Sequence, residues 1–285
     1  MQNSNIIFVT GGTGNQGGAV ARNLIEKGFR VRFLTRNPKS VRAENLIRLG
    51  AEVAQGDLNE PDSYKKKIEG VDGLFSVLAP EIGGDKEIKQ GIDLANLAKE
   101  NEVGHFVYSS VVGADHNTGI PHWESKFQIE NHIKQIGLPF TIIRPSSLYE
   151  NYLIPQVRSR LHKGKLVSPV SKNKVQQFIS AHDIGRIATL IFSNKDQYFG
   201  KTISLASEQM DLEQAAKIFS ETLDKNIKYQ KLPMFITRLV MGKNLYKMFK
   251  WINENDAVFI KDLNGFKNEY PNLIDLKEWI RLYFK

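Results

Sequence analysis

The 285-residue chain contains no cysteine, which excludes disulfides, thiolate catalysis, Cys-ligated zinc and thiol-based redox sensing. Its 41% hydrophobic and 25% charged content is ordinary for a globular protein, and nothing approaches the run of about eighteen apolar residues that spans a bilayer. The net charge of +8 is uneven, with 17 Lys/Arg against 18 Asp/Glu in residues 1–150 and 22 against 13 in residues 151–285. A basic second half suits a nucleic acid, an acidic protein or a phosphorylated ligand. Scattered solubilising lysine is the favoured account, because no helix-turn-helix, zinc finger or arginine-rich arm accompanies it.

No basic-then-apolar leader precedes the opening NIIFVT, so a soluble, cytoplasmic protein is expected. The six histidines show neither HxH nor HExxH spacing, and no metal site is expected. Through residue 150, short Val/Ile/Phe-rich runs predict strands at NIIFVT (5–10), FRVRFLT (29–35), AEVAQG (51–56), VDGLFSVL (71–78), HFVYSS (105–110) and FTIIRP (140–145). Between them, GGAVARNLIEKG, PKSVRAENLIRLG, EPDSYKKKIEG, KEIKQGIDLANLAKENE and WESKFQIENHIKQIG carry helical patterns, several ending in glycine. Repeated β-α-β with short turns implies an α/β fold, a doubly wound parallel sheet covered by helices on both faces.

After residue 150 the rhythm loosens. Helices are predicted from Pro155 to Leu161, from His182 to Phe192, and at DLEQAAKIFSETLD, MFITRLVMGKNLYKMFKWI and DLKEWIRLYF. Strands are predicted near KLVSPV, VQQFIS, GKTISLA and IKYQKL. The expected organisation is a dinucleotide-binding domain over 1–150 and a smaller α+β domain over 151–285 that closes the cleft, with residues of about 175–205 available to return to the first. The stretch MFITRLVMGKNLYKMFKW is amphipathic, basic and methionine-bearing. It fits a partner-binding helix or a lid, and core on one side with solvated lysines on the other is the favoured reading.

The first predicted strand runs into VTGGTGNQGGAVARNLI, where Gly11, Gly14 and Gly17 fall at GxxGxxG spacing between strand and helix. Gly11 permits the tight turn, Gly14 lets backbone approach a pyrophosphate, and Gly17 lets the helix pack close to the strand. Thr13, Asn15 and Gln16 belong to the same cradle, which offers free N–H groups and partial positive charge to phosphates. At the end of the second strand an NAD-selective site places an acid, whereas FLTRNPKS places Arg36. A cation there suits a 2′-phosphate, so NADP(H) is the expected cofactor, with Asn37 and Lys39 as helpers. Asp57 stands where an adenine amino group could be met, or caps the helix predicted after it. In SVLAP, Leu78, Ala79 and Pro80 are expected beside the adenosine ribose and pyrophosphate.

With these residues in place the chain resembles the NmrA-like branch of the atypical short-chain dehydrogenase/reductases. The resemblance rests on VTGGTGNQGGAVARNLIEKGFRVRFLTRNP, GAEVAQGDL, Lys126–Phe127 with Glu130, IGLPFTIIRPSSLYEN, SAHDIGRIA and FGKTISLA. It implies a Rossmann domain, NADP(H) binding and a second, smaller domain. It also implies one of two activities: NADPH-dependent reduction of quinones or phenolic ethers, or cofactor-sensing regulation through a protein partner. Conventional members of the wider family carry Tyr-x-x-x-Lys on the helix that here reads HWESK, so Lys126 takes the ribose-holding lysine's place and His122 the tyrosine's. An unperturbed histidine titrates near 6.5 and a neighbouring Lys⁺ pushes it lower, so His122, a catalytic candidate beside Lys126, is expected to be mostly neutral and a poor acid, although able to polarise a carbonyl by hydrogen bonding.

The alternative for Lys126 is a solvated position paired with Glu130, four residues on. Ser109 and Ser110 end the fifth strand, where a reductase of this family keeps a hydrogen-bonding serine. Tyr149 and Tyr152 either reach the cleft or pack as ordinary aromatics. Arg144 is either buried and paired or in contact with substrate. His182–Asp183 reads as an N-cap. A nicotinamide-binding sensor or regulator is narrowly favoured, an NADPH-dependent reductase of a quinone or small carbonyl is the alternative, and direct nucleic-acid binding ranks last.

Overall fold

The computed structural model describes residues 5–79 and 84–284. In chain order the elements are β1 (Ile6–Val9), α1 (Asn15–Glu26), β2 (Arg30–Thr35), α2 (Val41–Arg48), β3 (Glu52–Gln55), β4 (Gly73–Ser76), α3 (Gly84–Glu100), β5 (Phe106–Ser109), α4 (Pro121–Gln135), β6 (Phe140–Pro145) and β7 (Ser147–Leu148). They continue with α5 (Pro155–His162), β8 (Lys165–Ser168), β9 (Gln176–Ile179), α6 (Ala181–Ser193), α7 (Lys195–Tyr198), β10 (Thr202–Leu205), β11 (Glu208–Met210), α8 (Leu212–Leu223), β12 (Lys228–Lys231), α9 (Met234–Glu254), α10 (Leu263–Glu269) and α11 (Leu276–Tyr283).

The described residues divide into two compact units. The first comprises the described residues of 1–115, 121–144 and 181–203. Its seven-stranded sheet has the order β10-β6-β5-β4-β1-β2-β3. The neighbours β3, β2, β1, β4, β5 and β6 all pair in parallel. The strand order reverses between β1 and β4, the switch point at whose carboxyl edge doubly wound sheets bind ligands. Beyond β6, Gly200 N–H donates to the Phe140 carbonyl and Ile142 N–H to that of Lys201, seating β10 as the outer edge. One sheet face packs Phe8, Leu74, Phe106 and Tyr108 against Leu94 and Ala98 of α3 and Ile129 and Ile133 of α4. Residues that are apolar every three or four positions along those helices meet the alternating residues of the strands, and their joint burial drives the layer together.

Two expectations fail here. EPDSYKKKIEG forms no α-helix but two single 3₁₀ turns, Pro61–Ser63 and Lys65–Lys67. The segment has only Tyr64 and Ile68 to anchor it in the core, and the Ser63 hydroxyl donates to the Glu60 carbonyl and accepts from Asp57 N–H, competing with a helical ladder. His182 and Asp183 are not caps either. The helix α6 starts at Ala181, so both lie in its first turn, with buried Asp183 3.6 Å from Arg186.

At the base of β5, His105 is 1% exposed, set edge-on to Phe192 and Phe199. Its Nε2 lies 2.8 Å from the Thr141 hydroxyl, which itself donates to the Tyr198 carbonyl, so Nε2 carries the proton of a neutral ring. Burial, reinforced by the charge of Lys195, pushes its pKa down to about 4 from 6.5. The unfolded chain therefore takes up a proton near pH 6.5 while the folded one does not. Stability from this group is whole above pH 6.5 and is lost as pH falls towards about 4, by about 2–3 kcal/mol. Urea denaturation from pH 7.5 to 4.5 is expected to show a shallower acid decline in His105→Gln than in the unsubstituted protein; identical profiles would refute the assignment.

The second unit comprises the described residues of 116–120, 145–180 and 204–285. It holds a three-stranded sheet β11-β9-β7 and the parallel pair β12-β8. Its core gathers Trp279, Tyr149, Tyr152, Phe219 and Phe178. Tyr149 and Tyr152 are thus packing residues: the Tyr149 hydroxyl donates to Glu208 at 2.7 Å, and burial pushes both phenols' pKa up. The helix α9 is broken at Gly242, whose φ of 78° separates two half-helices.

Candidate functional site

The glycine loop leaves β1 through Thr10, whose hydroxyl donates to the Val77 carbonyl at 2.9 Å and accepts from Val77 N–H at 2.8 Å. Those bonds tie the ends of β1 and β4 together and make a fixed floor at the switch point. Gly11 then turns at φ 61°, a left-handed conformation open to glycine at no steric cost. Gly14 N–H closes the turn on the Gly11 carbonyl at 2.8 Å. Gly17 is where the helix crosses the strand end: a Cβ there would stand 2.4 Å from the carbonyl oxygens of both Thr10 and Gly11.

The N-cap of α1 is Gly14, with no side chain to fill the cap and no acid in the first turn. Its leading N–H groups therefore face outward with the helix's partial positive charge, an arrangement suited to a diphosphate. Gly14 and Asn15 are exposed, and Gly11, Thr13 and Gln16 are half-buried. The Gln16 side chain accepts a hydrogen bond from the Ser109 hydroxyl at 2.7 Å, locking the loop to the end of β5.

Arg36 follows the tip of β2 and is exposed, with no ion pair among the described residues. A second guanidinium was unforeseen in the sequence: Arg42 of α2 donates to the Thr13 carbonyl at 3.0 Å and so lies against the glycine loop. The signal was its place in the first turn of the helix after TRNPKS, one step beyond where the strand-tip rule directs attention. Asn37 and Lys39 serve the turn itself. The Asn37 carboxamide accepts from Lys39 N–H, and the Ser40 hydroxyl caps α2. Asp57 also shapes its own loop. Its carboxylate accepts from the backbone and side-chain nitrogens of Asn59, while Asn59 accepts from Gln90 of α3. Because no helix follows, its expected capping role falls away. The Leu78 side chain is buried in the core and Ala79 is exposed, while Pro80 lies outside the described residues.

On α4 the HWESK stretch builds a buried polar cluster. Lys126 is 7% exposed, its ammonium 2.8 Å from Oε1 of Glu87 and 5.9 Å from the Tyr108 ring centroid. Glu87, in the first turn of α3 and fully buried, also accepts from the Ser125 hydroxyl at 2.5 Å. The solvated Lys126–Glu130 pair does not form. Glu130 instead receives both Nε and Nη2 of Arg144, at 2.9 and 2.6 Å, while Nη1 of Arg144 reaches Asp115 at 2.6 Å. Arg144 is thus the buried, paired residue of the two alternatives, a bidentate tie between α4 and β6. Glu87 was missed because its partner lies in a distant stretch of sequence.

His122, one turn before Lys126, has its pKa lowered to about 4, first by burial and then by the Lys126 charge, with Glu87 opposing. It is neutral at pH 7, able to accept or donate one hydrogen bond and unsuited to releasing a proton. The Ser110 hydroxyl is buried without a hydrogen-bond partner among the described residues. The Tyr108 phenol has its pKa pushed well up, first by burial and then by Glu87 and Glu130.

Strand order and glycine loop define a Rossmann-type α/β protein. Comparison with known proteins then narrows the class: the profile of the NmrA-like family matches residues 3–280, and the chain belongs to that family. An NmrA-like family domain-containing protein of Dictyostelium discoideum is 30% identical over 253 residues, 84% of this chain and 82% of that one. Among solved structures, the negative transcriptional regulator NmrA in complex with NAD superposes with a TM-score of 0.82 at 22% identity, covering 100% of this chain and 96% of that one. An NADPH-dependent quinone oxidoreductase from Escherichia coli superposes with a TM-score of 0.80 at 21% identity, covering 98% of this chain and 100% of that one.

Proposed function

We propose that the chain binds NADP(H) and acts as a sensor or regulator of cofactor state through a protein partner. The observation that supports it best is the uncapped start of α1 at the switch point with Arg36 and Arg42 beside it and no acid at the strand tip. The diphosphate would lie on the N–H groups of the loop, and the guanidiniums would take the 2′-phosphate. Lys126 would hold the nicotinamide ribose with the ammonium hydrogens that Glu87 leaves free. A nicotinamide supplies hydride chemistry when bound. The residues near Lys126 offer poor proton donors, since His122 is neutral and the Tyr108 phenol is buried with its pKa pushed well up. That contrast supports sensing over turnover.

The second reading is an NADPH-dependent reductase of a quinone or similar small carbonyl. It draws on Lys126 at the ribose-holding position and on the activity printed for the Escherichia coli neighbour. Quinones need little acid assistance, so positioning alone would serve.

Titration calorimetry tests the binding. NADPH is expected to bind, and Arg36→Ala is expected to weaken it about tenfold while leaving NADH unchanged. No heat with either dinucleotide would end the proposal. Steady oxidation of NADPH by a panel of quinones, abolished in Lys126→Ala, would replace the sensor by the reductase.

A further inference from the structure

The kinked helix α9 has two unlike halves. Residues 243–254 behave as the amphipathic pattern predicts, with Met248, Phe249, Trp251 and Ile252 packed on the core of the second unit. Residues 234–241 do the reverse. Thr237 is fully buried and its hydroxyl donates to the Pro233 carbonyl, so that side roots the half-helix. Phe235 and Leu239, two residues to either side, project about 160° away from it. They are 69% and 82% exposed, and Val240 is 74% exposed. Arg238, and beyond the break Lys243 and Lys247, are exposed in the same stretch, the Lys247 ammonium 3.4 Å from the Gly119 carbonyl. The Arg238 guanidinium lies 5.8 Å from the Tyr246 ring centroid, bridging the break at Gly242. From residue 234 to 253 the sequence contains no carboxylate.

We propose that this half-helix docks on an anionic lipid surface, its apolar tips entering the acyl boundary while Arg238 and, past the break, Lys243 and Lys247 rest on lipid phosphates. Three observations select that occupant. Phe235, Leu239 and Val240 are all exposed within one short half-helix, and a bilayer boundary receives such tips without a complementary groove. The exposed cations of a stretch that carries no acid from residue 234 to 253 match a negative surface. A second copy would set like charges against each other across a two-fold contact, which disfavours self-association there. The inference does not depend on nicotinamide binding, so the two stand or fall separately.

Sedimentation of the full chain with vesicles tests it, without any dinucleotide. Retention is expected on equimolar phosphatidylglycerol and phosphatidylcholine, with release as salt rises and about tenfold weaker retention on phosphatidylcholine alone. Replacing Leu239 and Val240 together with glutamate is expected to cut retention on the anionic vesicles about tenfold or more, with the melting temperature unchanged because both side chains are exposed. Lys243→Ala with Lys247→Ala should weaken anionic retention while sparing what remains on the neutral vesicles. Three results would overturn the proposal: no retention on anionic vesicles at low salt, equal retention of the Leu239→Glu, Val240→Glu variant, or vesicle silence with self-association that this variant abolishes.

Discussion

Replacing Gly17 with alanine is expected to abolish dinucleotide binding and to cost about 3 kcal/mol or more of stability. The added methyl would sit 2.4 Å from two carbonyl oxygens, those of Thr10 and Gly11, and neither can retreat. Thr10 is held by its double bond to Val77, and Gly11 is held by the turn that Gly14 closes. Relief requires α1 to lift from the strand end, which carries its leading N–H groups away from the place a diphosphate would occupy. Gly14→Ala is the companion variant. Its Cβ would meet the Gly11 carbonyl at 3.1 Å, and its φ of −87° is open to any residue, so it should fold and lose affinity more modestly. Thermal denaturation and calorimetry on the pair check the argument; a Gly17→Ala protein that melts and binds like the unsubstituted one would refute it.

Glu87→Gln should be nearly as damaging by another route. It keeps an acceptor for the Ser125 hydroxyl but strips the counter-charge from Lys126, which is 7% exposed. Breaking one side of a buried ion pair leaves an uncompensated cation and costs about 3–5 kcal/mol. The double variant Glu87→Gln, Lys126→Met removes the stranded charge and is expected to recover most of that loss. A cycle by urea denaturation measures the coupling directly. Additive losses would mean that the 2.8 Å contact contributes nothing to stability. On the proposed role of Lys126 at the nicotinamide ribose, dinucleotide affinity should also fall in the single variant, because Lys126 would no longer be held in place.

Local patterns carried most of the first unit. The six strand segments, the spacing of Gly11, Gly14 and Gly17 and the cation at Arg36 are written in short windows, where side-chain period and turn chemistry act directly. What escaped depended on distance along the chain. Glu87 lies 38 residues from Ser125, and helical spacing pointed Lys126 to Glu130 instead. Spacing of four identifies only neighbours on a helix surface; burial decided the pairing by turning Glu130 to the guanidinium of Arg144. The two-residue strand β7 and the three-residue β11 were too short to show alternation, and α10 was hidden in a polar stretch. The EPDSYKKKIEG segment misled because its charge pattern imitates a helix while its Ser63 hydroxyl bonds locally to the backbone of Asp57 and Glu60.

The order of strands has a consequence for synthesis. The sheet's outer strand β10 ends at Leu205, while its neighbour β6 is complete at Pro145. A ribosome must therefore translate everything between them before the edge of β6 is covered. During that interval the nascent polypeptide displays an unpaired row of backbone donors and acceptors, the feature that recruits stray strands from other chains. Translation products that stop short of Thr202 should accordingly aggregate and depend on chaperones, whereas those that extend past Leu205 should emerge with that border sealed.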